Sequence, residues 1–131
     1  HLDLLLELGL DYLTLGQRLN SFSGGERQRL KLTKELEKRN TILVLDEPST
    51  GLHPSDTEKL MKILNKLVDQ GNTLIVIEHN LDIISQADWI IDIGPGAGKY
   101  GGNLLFEGTV EKLLAYSKIS ETSKYLIKHL Q

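Results

Sequence analysis

The stretch Thr41-Ile-Leu-Val-Leu-Asp-Glu-Pro48 decides the fold class of this chain. A short apolar and partly β-branched run precedes two carboxylates, which is the pattern of a strand buried on both faces of a parallel sheet. Thr73–Ile77 repeats the apolar pattern, and an amphipathic helix predicted over Asp56–Asp69 separates the two strands. The order strand, helix, strand predicts parallel neighbours in an α/β fold.

The composition limits the class of protein. The chain has 131 residues, a net charge of −3 and no cysteine. This length suits one compact domain, and the lack of cysteine excludes a disulfide framework and a thiolate metal site within the chain. The apolar stretches are far shorter than the ~20 residues of a membrane helix, and the mild acidity does not favour a general nucleic-acid surface. We expect a cytoplasmic domain without a membrane segment.

The remaining segments complete the predicted order of elements. A helix-like apolar pattern over Leu2–Leu8 ends at Gly9, and since no initiator Met precedes it, we expect a piece of a larger protein. Ser55 and Glu58 fit a capping box for the helix over Asp56–Asp69. We predict further helices over Ser23–Arg39, Leu81–Gln86, Val110–Tyr116 and Ser120–Leu130, and further strands over Asp88–Ile93 and Asn103–Phe106.

The last two strands predict an antiparallel hairpin with a long glycine-rich loop, Gly94–Gly102. This loop is not a phosphate-binding P-loop, because Ile93 occupies the place of the first glycine, Tyr100 replaces the Ser or Thr, and a strand follows. Its glycines favour a tight turn. The fold class is therefore α/β, with a mainly parallel sheet that is flanked by helices, lacks its first strands and ends in a hairpin and helices.

Asp46 and Glu47 follow the first predicted strand. Ligands of open α/β sheets bind outside the carboxyl ends of the strands, where both carboxylates would lie. Asp46 is a candidate ligand of Mg²⁺ through the water shell of the ion. Glu47 is a candidate to orient or deprotonate an attacking water. Two acidic residues that begin a loop account for the pattern equally well.

Ser23-Gly24-Gly25-Glu26 has two interpretations. Ser23 and Glu26 have the spacing of a capping box at the start of a helix. This leaves two consecutive glycines unexplained, each of which costs about 1 kcal/mol relative to alanine within a helix. Bare N–H groups at a helix start bind phosphate, and glycine lets the phosphate approach the backbone closely. The two roles are compatible, and the phosphate role is favoured.

His79 directly follows the second predicted strand, next to the strand that ends at Asp46. Its imidazole is a candidate hydrogen-bond donor to a terminal phosphate, although a lone histidine is more often structural. The basic residues of the first predicted helix alternate with acidic ones, which predicts a solvated helix face. These residues are Arg27, Arg29, Lys31, Lys34, Lys38 and Arg39.

Taken in this order, Ser23–Gln28, Leu43–Pro48 and His79 resemble the ATP-binding cassette (ABC) family. The resemblance implies an ABC signature that includes Ser23, Gly24, Gly25, Glu26 and Gln28. It also implies a Walker B strand ending at the magnesium contact Asp46, the catalytic glutamate Glu47 and the switch histidine His79. A D-loop around Ser49–His53 would bring Ser49 and Gly51 to the nucleotide.

Within that family, Pro48-Ser-Thr-Gly-Leu-His53, Ile77–Asp82 and Ala87–Pro95 resemble the C-terminal cassette of the bacterial excinuclease UvrA family. Those proteins scan DNA for lesions in nucleotide excision repair. Gly94–Gly98 looks more like the loop of the N-terminal cassette, or of paralogues linked to antibiotic self-protection, so such a paralogue stays an alternative. Three further classes of protein also stay open: a transporter ATPase, a chromosome-maintenance ATPase and a non-catalytic interaction module.

The resemblance implies that residues 1–131 form the part of an ABC nucleotide-binding domain from the signature to the C-terminus, without the Walker A P-loop or the zinc module. ATP and Mg²⁺ would lie between this cassette and a second cassette of the same parent chain. The parent is expected to be an ATPase and a homodimer that binds DNA and repair partners, with zinc only in its other parts. The isolated fragment is expected to be inactive, because it lacks the P-loop.

Overall fold

The computed structural model describes residues 22–96, 101–115 and 120–131, together with Leu6, Leu10, Gly16 and Arg18. Of the pattern over Leu2–Leu8 only Leu6 is described, and residues 97–100 of the glycine-rich loop and Tyr116 also lie outside the described residues. The elements are α1 (Gly24–Glu35), β1 (Ile42–Asp46), α2 (Pro54–Asp69), β2 (Thr73–Ile77), α3 (Leu81–Ile84), β3 (Ile90–Gly94), β4 (Asn103–Gly108), α4 (Val110–Ala115) and α5 (Glu121–His129).

The chain divides into two compact units, His1–His79 and Asn80–Gln131. The first contains β1 and β2, which pair in parallel with Ile42 opposite Thr73 and Asp46 opposite Ile77. The two strands therefore end at the same level, as the strand–helix–strand order predicts. Asn72 fixes the other end of the pair, because its side chain accepts from the Thr41 N–H at 3.1 Å and donates to the Lys38 and Leu67 carbonyls at 3.0 and 2.9 Å.

Among the described residues only one face of this sheet is covered, so the prediction of strands buried on both faces is wrong for that part of the chain. Leu43 and Leu45 are buried, whereas Ile42 and Val44 are 66% and 61% exposed. A single helical layer buries only alternate residues of a strand, and α2 supplies that layer by packing on β2. The buried residues of α2 are Thr57, Leu60, Met61, Ile63, Leu64 and Leu67.

The starts of the two long helices differ in how they are capped. The capping box predicted for α1 is confirmed, with both the Ser23 and the Glu26 side chains bonded to the backbone. The capping box predicted from Ser55 and Glu58 is wrong, because α2 begins one residue before Ser55. Pro54 occupies the first helical position, where a missing N–H is tolerated, and the cap is His53, whose Nδ1 accepts from the Ser55 N–H.

The predicted end of the first helix at Arg39 is also wrong. The helix ends at Glu35 with Leu36 as its C-cap, and Asn40 has a positive φ of 53°. Asparagine tolerates this left-handed conformation, which lies four residues beyond the C-cap. The chain turns there into β1.

The second unit is built on the antiparallel hairpin of β3 and β4, which confirms the predicted pairing. The hairpin lies against α4, and α5 packs on α3 and α4. Its core contains Ile90, Val110, Leu113 and Leu126. Asp92 ties β3 to the start of α5, because its carboxylate accepts from the hydroxyls of Ser120 and Thr122.

Other predicted boundaries in the second unit shift by a few residues. The helix predicted to Gln86 ends at Ile84, β3 runs from Ile90 to Gly94, and β4 extends to Gly108. The mixed α/β class is confirmed, although the sheets are one parallel and one antiparallel pair in the described parts of the chain. Among those parts, every helix is too short or too polar to cross a membrane.

Candidate functional site

The carboxyl ends of β1 and β2 bring three of the predicted site residues together. Asp46 is the last residue of β1 and is exposed. Glu47 follows it, and its N–H donates to the Ile77 carbonyl at 2.9 Å, which extends the sheet pairing by one bond. His79 follows β2, and its Nδ1 lies 3.6 Å from Glu47 Oε1. Because the side chains of His79 and Glu47 are 75% and 52% exposed, a ligand has access to both.

Glu47 has an unusual backbone conformation for a residue with a side chain. Its φ is +46°, in the left-handed region, which costs of order 1 kcal/mol outside glycine and persists only where surrounding contacts hold it. The next three residues close a turn, in which the Thr50 N–H donates to the Glu47 carbonyl at 3.1 Å. The Thr50 hydroxyl also donates to Glu47 Oε2 at 3.1 Å. The Glu47 carboxylate is thus hydrogen-bonded to the Thr50 hydroxyl and lies close to the His79 imidazole.

Arg29 holds this turn from the side of α1. Its guanidinium Nη1 donates to the carbonyls of Pro48 and Thr50 at 3.2 and 3.0 Å. Arg29 is only 1% exposed, so the prediction that it lies on a solvated helix face is wrong. A signal was present in the helical spacing, since Arg29 and the fully buried Leu32 are three residues apart and share one face.

Glu78 holds the same turn from the side of β2. Its Oε1 accepts from the Ser49 N–H at 2.8 Å, and its Oε2 accepts from the His79 N–H at 3.1 Å. Reasoning from the sequence did not single out Glu78 as a site residue. Nothing local marks it, because its partner Ser49 is 29 residues away.

The predicted D-loop begins with the turn that Arg29 and Glu78 hold. Ser49 is 8% exposed, and its carbonyl accepts from the Leu52 N–H at 3.0 Å. Gly51 has a φ of +75°, and a Cβ built there would meet nothing within 4 Å, so its backbone conformation is the feature that favours glycine. The segment then reaches His53, the cap of α2.

The start of α1 forms contacts of its own. Ser23 Oγ accepts from the Glu26 N–H at 3.2 Å, and the Ser23 N–H donates to Glu26 Oε2 at 2.5 Å. The structural role of Ser23 and Glu26 is therefore satisfied within four residues. Gly24 and Gly25 occupy the first two helical positions, whose N–H groups have no acceptor within a helix. The side chain of Gln28 lies outside the described residues.

Comparisons with known proteins agree with this arrangement. A family model described as ABC transporter matches residues 3–50, which include the start of α1 and the whole of β1. UvrABC system protein A from Xanthomonas axonopodis pv. citri is 52% identical over 98% of this chain and 13% of its own length. The chain belongs to the UvrA family. UvrABC system protein A from Escherichia coli O6:H1 is also 52% identical, over 95% of this chain and 14% of its own length.

A solved UvrA structure has the same fold. The crystal structure of UvrA2 from Deinococcus radiodurans matches with a TM-score of 0.88 and 46% identity, covering 97% of this chain and 16% of that chain. The UvrA interpretation of the sequence is confirmed by both kinds of comparison. The chain spans only 13–14% of the length of the two UvrABC system relatives named above.

Proposed function

We propose that this chain is part of an ABC ATPase cassette in a longer UvrA-type protein, called the parent below, which recognises damaged DNA in nucleotide excision repair. The observation that carries the proposal is the pairing of Glu47 with His79, 3.6 Å apart, at the edge where two parallel strands end. Ligands of open α/β sheets bind at this edge. The UvrA relatives, which match nearly the whole chain, support the same interpretation.

Glu47 has the role of orienting and deprotonating the water that attacks the terminal phosphate. Positioning and electrostatic stabilisation supply most of the catalysis in phosphoryl transfer, so the orientation of this carboxylate matters more than its mere presence. The Thr50 hydroxyl binds one carboxylate oxygen and limits its rotation, and the imidazole of His79 lies 3.6 Å from the other. The exposed imidazole of His79 also has access to the phosphate, to which it can donate a hydrogen bond.

The residues at this edge fit a hydrated Mg²⁺. This ion prefers oxygen ligands and keeps several waters, and the exposed Asp46 offers a carboxylate beside the half-exposed Glu47. Within the ranges that the structure describes, no group of three or more His, Cys, Asp or Glu is arranged to hold a metal ion. Asp46 would hold such an ion through its water shell, and the ion would supply positive charge next to the phosphate.

The start of α1 serves a different nucleotide. Ser23, Gly24 and Gly25 would contact the γ-phosphate of ATP bound to the second cassette of the parent, where the positive end of the helix dipole favours an anion. Glu26 holds the Ser23 backbone. Gln28, Ser49 and Gly51 are further residues that we propose to contact a nucleotide. The chain thus contributes one side to each of two ATP sites and completes neither.

The proposed setting of the parent follows from its family. We propose a cytoplasmic homodimer that binds DNA and the partner proteins of the repair pathway. A parent that restores the survival of ultraviolet-irradiated bacteria lacking UvrA supports the repair role. A parent that hydrolyses ATP but does not restore survival supports a paralogue with another task, such as antibiotic self-protection.

Substitution of Glu47 by Gln in the parent tests the ATPase proposal. We expect steady-state hydrolysis to fall by about 10²–10⁴-fold, the usual contribution of a positioned general base, while titration with Mg·ATP still shows binding. Glu58→Gln, on the exposed face of α2, is the matched control and retains activity. The isolated chain is a further reference and shows no steady turnover. Loss of ATP binding in Glu47→Gln would instead indicate a structural role.

A further inference from the structure

We propose that Arg29 and Glu78 form a clamp on the turn Pro48–Thr50 and act as positioning residues for Glu47. This inference rests on the proposed ATPase function, since it assigns residues that place the general base of that reaction. The term turn clamp is used below for Arg29, Glu78 and the backbone groups of Pro48, Ser49 and Thr50 that they bind.

The two residues hold the turn with opposite charges and complementary backbone groups. Arg29 donates to two carbonyls, of Pro48 and Thr50, and Glu78 accepts from the N–H of Ser49 between them. Three consecutive residues are therefore each bound by a charged side chain. Hydrogen bonds in which one partner is charged are roughly twice as strong as those between neutral groups.

The burial of Arg29 indicates that the clamp is more than a surface contact. The residue is 1% exposed, and its Nε is a buried atom without a hydrogen-bond partner in the described part of the chain. Burying a guanidinium is costly unless strong acceptors compensate it. Because the carbonyls of Pro48 and Thr50 accept from the Arg29 guanidinium, displacement of the turn would deprive a buried cation of two hydrogen bonds.

The clamp acts on Glu47 through the backbone. Glu47 directly precedes the clamped turn, and its left-handed φ of +46° must be maintained by its surroundings. Its N–H is fixed to Ile77 on β2, and Thr50, which Arg29 holds by its carbonyl, orients the Glu47 carboxylate. Loosening the turn therefore frees both the backbone and the carboxylate of Glu47.

The clamp also connects the two proposed half-sites. Arg29 lies on α1, which begins directly after its N-cap Ser23, whereas Glu78 lies beside His79 at the end of β2. A shift of α1 against the sheet would be transmitted to the turn through Arg29. The helix start that would contact the ATP of the second cassette is in this way mechanically linked to Glu47, the general base for the ATP of this cassette.

The test uses the full-length parent with paired substitutions. Glu78→Ala removes the acceptor for the Ser49 N–H, whereas Glu78→Gln keeps a carbonyl oxygen in the same place. Arg29→Lys keeps the charge but loses the planar fork that reaches two carbonyls. Lys34→Met, at an exposed position of the same helix, and Glu58→Ala, on α2, are the matched controls.

We expect Glu78→Ala and Arg29→Lys to lower kcat by about 10–100-fold, as small displacements of catalytic groups do, with the KM for ATP changed by less than about 3-fold. Glu78→Gln recovers most of kcat, and the controls match wild type. In the double variant the losses combine to less than their product, because both residues act on one turn. A purely structural role would instead lower thermal stability and the active fraction without this selective loss of kcat.

The outcomes separate the clamp from the proposed function. If Glu47→Gln abolishes hydrolysis while Glu78→Ala and Arg29→Lys keep wild-type kcat, the clamp is contradicted and the ATPase proposal stands. If the wild-type parent does not hydrolyse ATP, both are contradicted. If Arg29→Lys does not fold, the comparison of Glu78→Ala with Glu78→Gln still decides.

Discussion

The start of α1 and the turn clamp differ in the sequence distance that their contacts span. The capping box at the start of α1 spans four residues, because the Ser23 and Glu26 side chains each bond to the backbone of the other residue. The turn clamp joins residues that are 19, 21 and 29 positions apart. The contacts of the capping box are therefore local in the sequence, whereas the turn clamp exists only after α1, β1 and β2 have packed together.

This difference indicates how a substitution can impair each region: the proposed phosphate contact at the start of α1, and the proposed positioning of Glu47 by the turn clamp. A local cap is a modest and independent contribution to stability, and the N–H groups beside it are available to a ligand. A clamp made of buried charged contacts depends on every element it joins. The following experiments test this contrast between local contacts and contacts that join distant positions. They are given in decreasing order of the expected effect.

Substitution of Ser23 by Asp separates the two roles of the helix start. Aspartate caps a helix as well as serine, so the free energy of unfolding changes by less than about 0.5 kcal/mol. Its charge opposes a phosphate, and we expect ATP hydrolysis by the parent to fall by about 10²–10³-fold, the usual effect of losing a phosphate-side donor. Steady-state hydrolysis and thermal unfolding are measured together.

Ser23→Ala is the companion variant, since it loses both the cap and the hydroxyl and is expected to lower stability by about 1 kcal/mol. Wild-type hydrolysis by Ser23→Asp would mean that the capping box is the whole role of this motif. The start of α1 would then be a structural region only, in contrast to the turn clamp, which acts on Glu47.

Substitution of Asn72 by Ala tests how much the long-range contacts of the first unit contribute to stability. Asn72 is 5% exposed and bonds to three backbone groups from separate segments. Because alanine leaves buried partners unsatisfied, we expect the free energy of unfolding to fall by about 2–4 kcal/mol. Urea denaturation of the chain measures this change.

The matched control is Asn65→Ala, at an exposed position of α2, which should change stability by less than about 0.5 kcal/mol. An Asn72→Ala effect no larger than that of Ser23→Ala would contradict the view that tertiary contacts outweigh local caps in this unit.

Asp56 supplies the smallest expected effect, from a second local contact. The hydrogen bond from Lys59, at 2.8 Å, lowers the pKa of Asp56, and nearby positive charges, including Arg29, add to it. A carboxyl with a lowered pKa stabilises the fold at neutral pH, and this contribution is lost as the pH falls through the folded-state value. Asp56→Asn should therefore weaken the acid dependence of stability slightly, as measured by denaturation across acidic pH.

Glu58→Gln, at an exposed position of the same helix, is the control for this pH series. The effect is small because the pair is exposed and solvent screens it. A large flattening of the acid limb by Asp56→Asn would show that this local contact is coupled to the buried Arg29.

The sequence-based predictions were accurate for features that depend on local contacts and less accurate for features that depend on distant residues. The strand ending at Asp46, its parallel partner and the hairpin of β3 and β4 were predictable, because apolar runs and turn residues act locally. The cap of α2 was misassigned, because Ser55 and Glu58 have the spacing of a capping box in the sequence. Only the structure shows that Pro54 is already helical, so that His53 and not Ser55 is the cap.

The clearest failure concerns Arg29. A charge pattern cannot tell a solvated arginine from one whose charge is compensated by carbonyls at distant positions. Helical spacing placed it on the face of Leu32, but its acceptors belong to Pro48 and Thr50. Burial on both faces of β1 was also wrong within the described chain, because the number of layers that cover a sheet depends on what packs against it.

The α/β class, the capped start of α1 and the placement of Asp46, Glu47 and His79 at strand ends all follow from the amino-acid sequence, since they depend on neighbouring residues and strand order. Three features depend instead on packing between elements: the approach of His79 to Glu47, the burial of Arg29 and the bond of Glu78 to the turn. The physical reason is that such contacts join groups from separate elements, and their geometry exists only once the packing of those elements fixes the distances between them.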